Sequence, residues 1–537
     1  MAGDEASLLL YHGRVRSLVG ARADGTWIAL RGNRVLAVGR GQVPRRFRSP
    51  PALDLKGRTV LPAFTDAHAH LLRTGLQHLQ LDLRGCASKG EVLRAVAARA
   101  RALPPGHLIR GFGWDQTAWG EDIFPSRQDL DALVPAHPVY LERVDAHAVW
   151  ANSRLLKTAG LTAATPDPAG GAILRDARGD PTGILLDRAR ELLTPHLTDW
   201  TEDERTSALL QAAAACHRVG ITSLHDAAVS ASTLALLHRL FGEGQLRLRV
   251  YAMLHGEEIL EEALPLGPQV GLYGGLLTVR AVKLFVDGAL GSRGAALLAP
   301  YRDAPGESGL LLMDEEAIAQ AAGRALSHGF QVCAHAIGDR ANRETLRAYR
   351  RLREAFPEIA EARLRVEHAQ VVHPADLAAF GDLRLIASIQ PTHATTDMRW
   401  AEARLGRERL RGAYAWRSLL KTGAALAGGS DAPIEPLSPL AGVYAAVTRQ
   451  DAAGNPPGAF LPGERLTIRE ALDLYTRGAA YAAFEEGERG GLRPGALADL
   501  VVLSADPFLV SPKELLEITV DYTILDGAVV YARDRAE

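Results

Sequence analysis

Cysteine is scarce in this chain of 537 residues, which holds only Cys86, Cys216 and Cys333. Three scattered thiols cannot build a disulfide framework, so the small stapled secreted scaffolds are excluded and a reducing compartment fits. Long apolar runs are missing too. No eighteen apolar residues stand together, and no membrane span is expected. The stretch MAGDEASLLLYHGRVRSL carries acidic residues where a secretory signal needs basic ones, so the expected setting is the cytoplasm. Neither sign of charge is in excess. Lys+Arg 61 against Asp+Glu 63 leaves a formal net charge of -2, which offers no net attraction to nucleic acid or to an anionic membrane. Lysine is the other scarcity. It occurs only at positions 56, 89, 157, 283, 421 and 513, and every other basic residue is arginine, so each retained lysine raises a question.

What is present is an ordinary globular composition, 47% hydrophobic and 23% charged, which excludes disorder. Short apolar runs cut by turns occur at Leu8–Tyr11, Trp27–Arg31 and Val35–Val38, and again at Asp499–Leu503, Ile518–Ile524 and Ala528–Tyr531. Each end alone would be marginal, so the two are expected to form one small β-sandwich domain, residues 1–58 with 488–537. Between them the chain alternates strand-like and helical segments, the pattern of a parallel sheet. Eight strands are expected: Thr59–Phe64, Ile221–Leu224, Leu248–Leu254, Val279–Val286, Gln331–Ala334, Leu364–Val366, Leu385–Ile389 and Ala424–Ala427. The fold class is therefore α/β, a (β/α)8 TIM barrel over residues 59–487, with a large insert of about residues 75–215 after the first strand. The insert has strand-like runs of its own at Leu108–Phe112 and Val139–Leu141, and a hairpin is expected around Gly170–Gly183.

Barrel enzymes place their sites at the carboxyl ends of the strands. The first expected strand leads into Asp66-Ala67-His68-Ala69-His70, and period-two alternation turns both imidazoles to one side. Alone, an H-x-H pair is a weak signal. His335 ends the fifth strand, His368 the sixth, and Asp431 stands at the mouth of the eighth. Four imidazoles and a carboxylate at strand ends suit a borderline divalent cation such as zinc, as one or two ions. Lys283 interrupts the apolar run of the fourth strand, where an unpaired ammonium is costly. A buried lysine readily loses its proton, and the neutral amine can capture carbon dioxide as a carbamate, a two-oxygen anion able to bridge two metals. Arginine cannot do this.

The order H-x-H, strand-four Lys, strand-five His, strand-six His and strand-eight Asp resembles the amidohydrolase superfamily of metal-dependent hydrolases. The stretches VLPAFTDAHAHL, ERVDAHAVWANS, VKLFVDGALGSRGA, HAIGDRAN, RVEHAQ and GGSDAP are similar to its YtcJ-like branch, amidohydrolase family 3, and the closing GGLRPGALADLVVLSADP is similar to the superfamily's return into its β-sandwich. Ala63 and Ala146 stand where that family usually has glycine. The resemblance implies that His68 and His70 hold one metal, His335 and His368 a second, and carboxylated Lys283 bridges them. It implies that Asp431 binds metal and shuttles the proton. The implied reaction is hydrolysis of a non-peptide carbon–nitrogen bond (amide, N-formyl or cyclic amide) in a small molecule, and homodimers are common in the superfamily. Ester or lactone hydrolysis, a metal-assisted isomerisation or decarboxylation, and a metal-free scaffold are the alternatives.

Substrate-side candidates are more open. Asp145 and His147 match the family's R-x-D-G-H-A motif, His147 as a donor to the substrate carbonyl or the oxyanion. Trp114 either lines the pocket or packs within the insert. Asp287, Arg293 and Arg340 stand just past strand ends and either hold substrate or cap loops, and His393 is an extra ligand or a substrate contact. Alternation turns Glu367 away from His368 and toward a structural salt bridge, and Cys333 is expected to pack.

Overall fold

The computed structural model describes residues 6–20, 24–47, 51–119, 124–143, 148–168, 171–197, 199–291 and 293–533. Contacts divide the chain into two compact units, residues 1–71 with 212–537 and residues 72–211.

The larger unit carries a parallel barrel sheet of eight strands in chain order: β1 (Phe64–Ala69), β2 (Ile221–Val229), β3 (Arg249–Leu254), β4 (Leu277–Phe285), β5 (Gln331–Ala336), β6 (Arg365–His368), β7 (Ile386–Ile389) and β8 (Ala425–Gly428). The sheet closes at its carboxyl rim. Asp431 N donates to His68 O at 2.7 Å and His70 N to Ala432 O at 2.8 Å, so the first and last strands meet there. Ser430 reinforces the seam, its amide at 3.0 Å from Asp66 Oδ1 and its hydroxyl donating to Oδ2 at 2.6 Å. The covering helices follow from local sequence. Asp314 caps Glu315–Ser327 by accepting from Ala317 N, and Glu315 and Glu316 sit where the helix dipole favours negative charge. Asp339–Ala355 buries Ala341, Thr345, Ala348, Tyr349 and Leu352, an i, i+3, i+4 stripe turned to the sheet.

Two further sheets of the same unit form the β-sandwich. One runs Arg34–Gly39, Trp27–Arg31, Leu8–Tyr11, Ala52–Asp54; the other runs Arg14–Val15, Thr59–Pro62, Leu500–Leu503, Val520–Leu525, Ala528–Ala532. Their common core includes Leu10, Ile28, Leu30, Val60, Leu500, Val502 and Ile524, all fully buried. Each such aliphatic side chain is worth about 1.5–3 kcal/mol relative to exposure. A sheet of this kind needs strands from both ends of the sequence.

The first expected barrel strand, Thr59–Phe64, is corrected by the structure. Thr59–Pro62 pairs with Leu500–Leu503 in the sandwich, and the barrel strand begins only at Phe64. The reason is a change of partner within one extended run. Ala63 N donates to Asp499 O at 3.0 Å, and the next amide, Phe64 N, turns to Gly220 O at 2.9 Å. Arg249 at the start of β3 holds the junction, donating to both oxygens of buried Asp499 at 2.7 and 3.0 Å.

The smaller unit has a mixed six-stranded sheet in the order Gly171–Arg175, Pro181–Asp187, Ala148–Ala151, Val139–Arg143, Ile109–Trp114, Leu81–Asp82. Its core gathers Trp114, Trp150, Leu130, Val139 and Leu141. Among the described residues no helix is long and apolar enough to cross a membrane.

Candidate metal centre

The carboxyl ends of β1, β6 and β8 bring one donor atom each of His68, His368 and Asp431 within 4.8 Å of one another, all three residues buried. Around them, Asp431 Oδ1 lies 3.2 Å from His70 Nε2 and 3.6 Å from His68 Nε2. The His335 ring stands 4.5 Å from that of His368, edge to face. Lys283 Nζ is 3.5 Å from His68 Nε2 and 4.7 Å from the Phe285 ring centroid. The six residues expected at a metal site thus converge from five strands.

Backbone geometry explains why one rim can carry so many inward side chains. His368 and Asp431 adopt left-handed conformations, φ +74° and +59°, which are strained for residues other than glycine. At His368 this breaks the strand alternation. Glu367, expected to face away, points into the barrel as well, its Oε2 2.5 Å from His68 Nδ1. The expected salt bridge is there too, to Arg365 at 2.7 Å, but it lies inside the barrel under the cluster.

The donor set fits a divalent cation. His70 Nδ1 donates to Ala227 O at 2.8 Å, His368 Nδ1 to Gln390 Oε1 at 2.7 Å, and His68 Nδ1 to Glu367. A ring whose Nδ1 carries the hydrogen presents its Nε2 lone pair, so three imidazoles are set as neutral ligands. His335 Nε2 is buried 3.4 Å from Asp287 Oδ1, with no hydrogen-bond partner among the described residues. Burial, with the charge of Lys283, brings the His68 imidazole down to about 4 and that of His335 to about 3, and burial likewise holds His368 well below the usual range. Burial also lowers the Lys283 ammonium. At Asp431 burial pushes upward, yet contact with the His70, His68 and His368 rings holds the carboxyl well below its ordinary value. All four histidines and the carboxylate therefore sit in forms able to coordinate.

The substrate-side expectations fare differently. Trp114 is fully buried in the core of the smaller unit, donating from Nε1 to Leu141 O at 2.8 Å and packing edge-on to Trp150. Asp287 is turned inward. Its carboxylate accepts from Ala296 N, Ile337 N and Gly338 N at 2.9, 3.0 and 2.8 Å, tying the loops after β4 and β5. Burial raises it to about 7. Arg293 pairs with Asp303 at 3.1 Å, and Arg340 is exposed on the first turn of its helix. His393 does reach the cluster, with Nε2 3.7 Å from Asp431 Oδ2 and without a hydrogen-bond partner among the described residues. Cys333 packs against Tyr251 and Met253 in the core. Asp145 and His147 lie outside the described residues. Sequence reasoning missed Gln390 and Ala227, which fix two of the rings; Gln390 follows β7 directly, and that position is the only signal it gives.

A parallel eight-stranded barrel with imidazoles and a carboxylate gathered at its carboxyl rim defines the class of (β/α)8 proteins that work from that face. Within that class, the chain belongs to the amidohydrolase family, whose sequence model matches residues 52–531. It is 34% identical to YtcJ of Bacillus subtilis over 92% of this chain and 93% of that one. It is 30% identical to the N-substituted formamide deformylase of Arthrobacter pascens over 98% of each. Among solved structures, an uncharacterized metal-dependent hydrolase from Pyrococcus furiosus superposes with a TM-score of 0.77 at 33% identity, covering 93% of this chain and 99% of the other.

Proposed function

We propose that this chain hydrolyses a carbon–nitrogen bond other than a peptide bond in a small molecule: an amide, an N-formyl compound or a cyclic amide. The observation that carries the reading is the convergence of three preset Nε2 atoms on Asp431. His68, His70, His335, His368 and Asp431 would hold one or two divalent ions, zinc by the donor set, with Lys283 contributing as its carbamate. Such an ion supplies Lewis acidity and makes a nucleophilic water available near neutral pH. Asp431 is placed to move the proton. Oδ1 faces His68 and His70 while Oδ2 faces His393, so one carboxylate can take a proton from attacking water and hand it to the leaving nitrogen. His393, free at Nε2, is placed to donate to the substrate. The formamide deformylase relative supports an N-formyl or related amide over an ester. The scarcity of cysteine supports a cytoplasmic setting.

Two measurements test the reading. Protein purified without chelators is expected to carry divalent metal, and less than about half an equivalent with no gain on adding zinc and bicarbonate contradicts it. The metal-loaded enzyme is then given N-formyl, N-acyl and cyclic amides beside matched esters and lactones. Turnover of esters alone would replace the carbon–nitrogen assignment.

A further inference from the structure

Beneath the cluster, Arg365 is wholly buried and spends its guanidinium across the barrel interior. Nε donates to Glu367 Oε1 at 2.7 Å, and Nη2 to Glu367 Oε2 at 3.1 Å, Ala67 O at 2.7 Å and Ser388 Oγ at 3.1 Å. Nη1 donates to His225 Nδ1 at 3.0 Å. One side chain thus bonds to β1, β2, β6 and β7, and its two bonds to Glu367 keep that carboxylate ionised and in one orientation. His68 Nδ1 lies 2.5 Å from the same Glu367 Oε2. A buried carboxylate held this way can only accept, so the hydrogen of the His68 ring must sit on Nδ1.

We infer that Glu367, oriented by Arg365, is the positioning residue of the centre: it selects the His68 tautomer and so aims the Nε2 lone pair at Asp431, Lys283 and His368. Glu367 also draws the shared hydrogen toward itself, which enriches the ring in electron density and strengthens Nε2 as a donor. His70 and His368 differ in this respect, since neutral oxygens hold their Nδ1 atoms. His68 is therefore a stronger imidazole donor than His70 or His368. The inference rests on the metal-centre reading for its affinity readout, but its tautomer readout does not.

Glutamine is the diagnostic replacement. An amide offers one accepting atom where Glu367 serves donors from both Arg365 and His68, so either the arginine or the imidazole meets an N–H. In the full metal-free chain with 15N-labelled histidine, long-range proton–nitrogen correlation is expected to show His68 protonated at Nδ1, and to show Glu367→Gln losing that preference. Zinc affinity by chelator competition is expected to fall about 10–100-fold in Glu367→Gln. Because Glu367→Gln leaves a buried guanidinium without its counter-charge, the double variant Glu367→Gln/Arg365→Met removes both charges, and it should fold and show the same weakened affinity. An Nε2-protonated His68 in the wild type overturns the inference, as does wild-type zinc affinity in the folded double variant. A wild type that binds no zinc but keeps the Nδ1 tautomer instead overturns the metal reading and leaves the positioning role standing.

Discussion

Gly429 lies against the backbone of His68 so closely that a β-carbon there would come within 2.5 Å of the His68 amide nitrogen and 2.8 Å of its carbonyl oxygen. The last strand of the barrel can exchange backbone bonds with the first only because this residue has no side chain. Gly429→Ala is expected to lower stability by about 1–3 kcal/mol through overpacking and to lower bound zinc along with it. Thermal unfolding and metal content would both be read; a variant that keeps wild-type values of each removes the close approach from the account.

Lys283 sits within reach of His68 and Phe285, and among the described residues no carboxylate is bonded to its amine. If its carbamate is the bridging ligand, Lys283→Ala should abolish turnover, and formate or acetate in the buffer should restore part of it by supplying two oxygens. Wild-type turnover in Lys283→Ala would dismiss the bridge.

Asp431→Asn separates holding from proton transfer. The amide can still offer an oxygen ligand but cannot take a proton, so kcat is expected to fall by about 100-fold or more while metal content falls by much less. Equal losses in the two measurements would assign Asp431 to metal holding alone.

Asp397 offers a pH test away from the proposed ligands. It accepts from Tyr414 Oη at 2.7 Å and Gln370 Nε2 at 2.9 Å, and burial raises its carboxyl from 3.8 to about 6. A carboxyl raised by folding binds its proton more tightly when folded, so its contribution is fully present below the unfolded value and is lost as pH rises through about 6. At about 1.4 kcal/mol per unit, the change across that window is on the order of 3 kcal/mol. Asp397→Asn has no charge to bury there, so its melting temperature should rise relative to wild type between pH 4 and pH 7. A pH-independent gap would refute the assignment.

Asp287 was a reasonable substrate ligand by position, yet three backbone amides occupy it. Asp287→Ala leaves those amides buried without an acceptor, at about 1–3 kcal/mol each at most. The expected result is a clear drop in melting temperature with KM unchanged in the folded fraction. A raised KM at unchanged melting temperature would return Asp287 to the substrate.

The strands and the clustered histidines were legible because each leaves a local mark: an apolar run, a turn, a histidine at a strand end. The H-x-H pair behaves as alternation says, and Lys283 stands out because it breaks an apolar run. What was not legible depends on long-range partners. The run from Thr59 to Ala69 reads as one strand, and only the pairing of Leu500–Leu503 shows where it changes sheets. Alternation turns Glu367 outward, but it fails where His368 takes a left-handed turn, a conformation no local pattern announces. Trp114 could have lined a cavity or filled a core, and the choice rested on Trp150 and Leu141, distant in sequence.

The continuity of Thr59–Pro62 with β1 also bears on how the protein is made. On the ribosome, the strand that carries His68 and His70 emerges early, but its anchor in the sandwich waits for Leu500–Leu503, and its seam partner Asp431 also arrives late. Such long-delayed closure is slow and leaves strand edges open meanwhile. The two histidines therefore precede the residues that complete the pocket around them. The full set of donors can meet only once Asp431 has been made and the seam with His68 has closed.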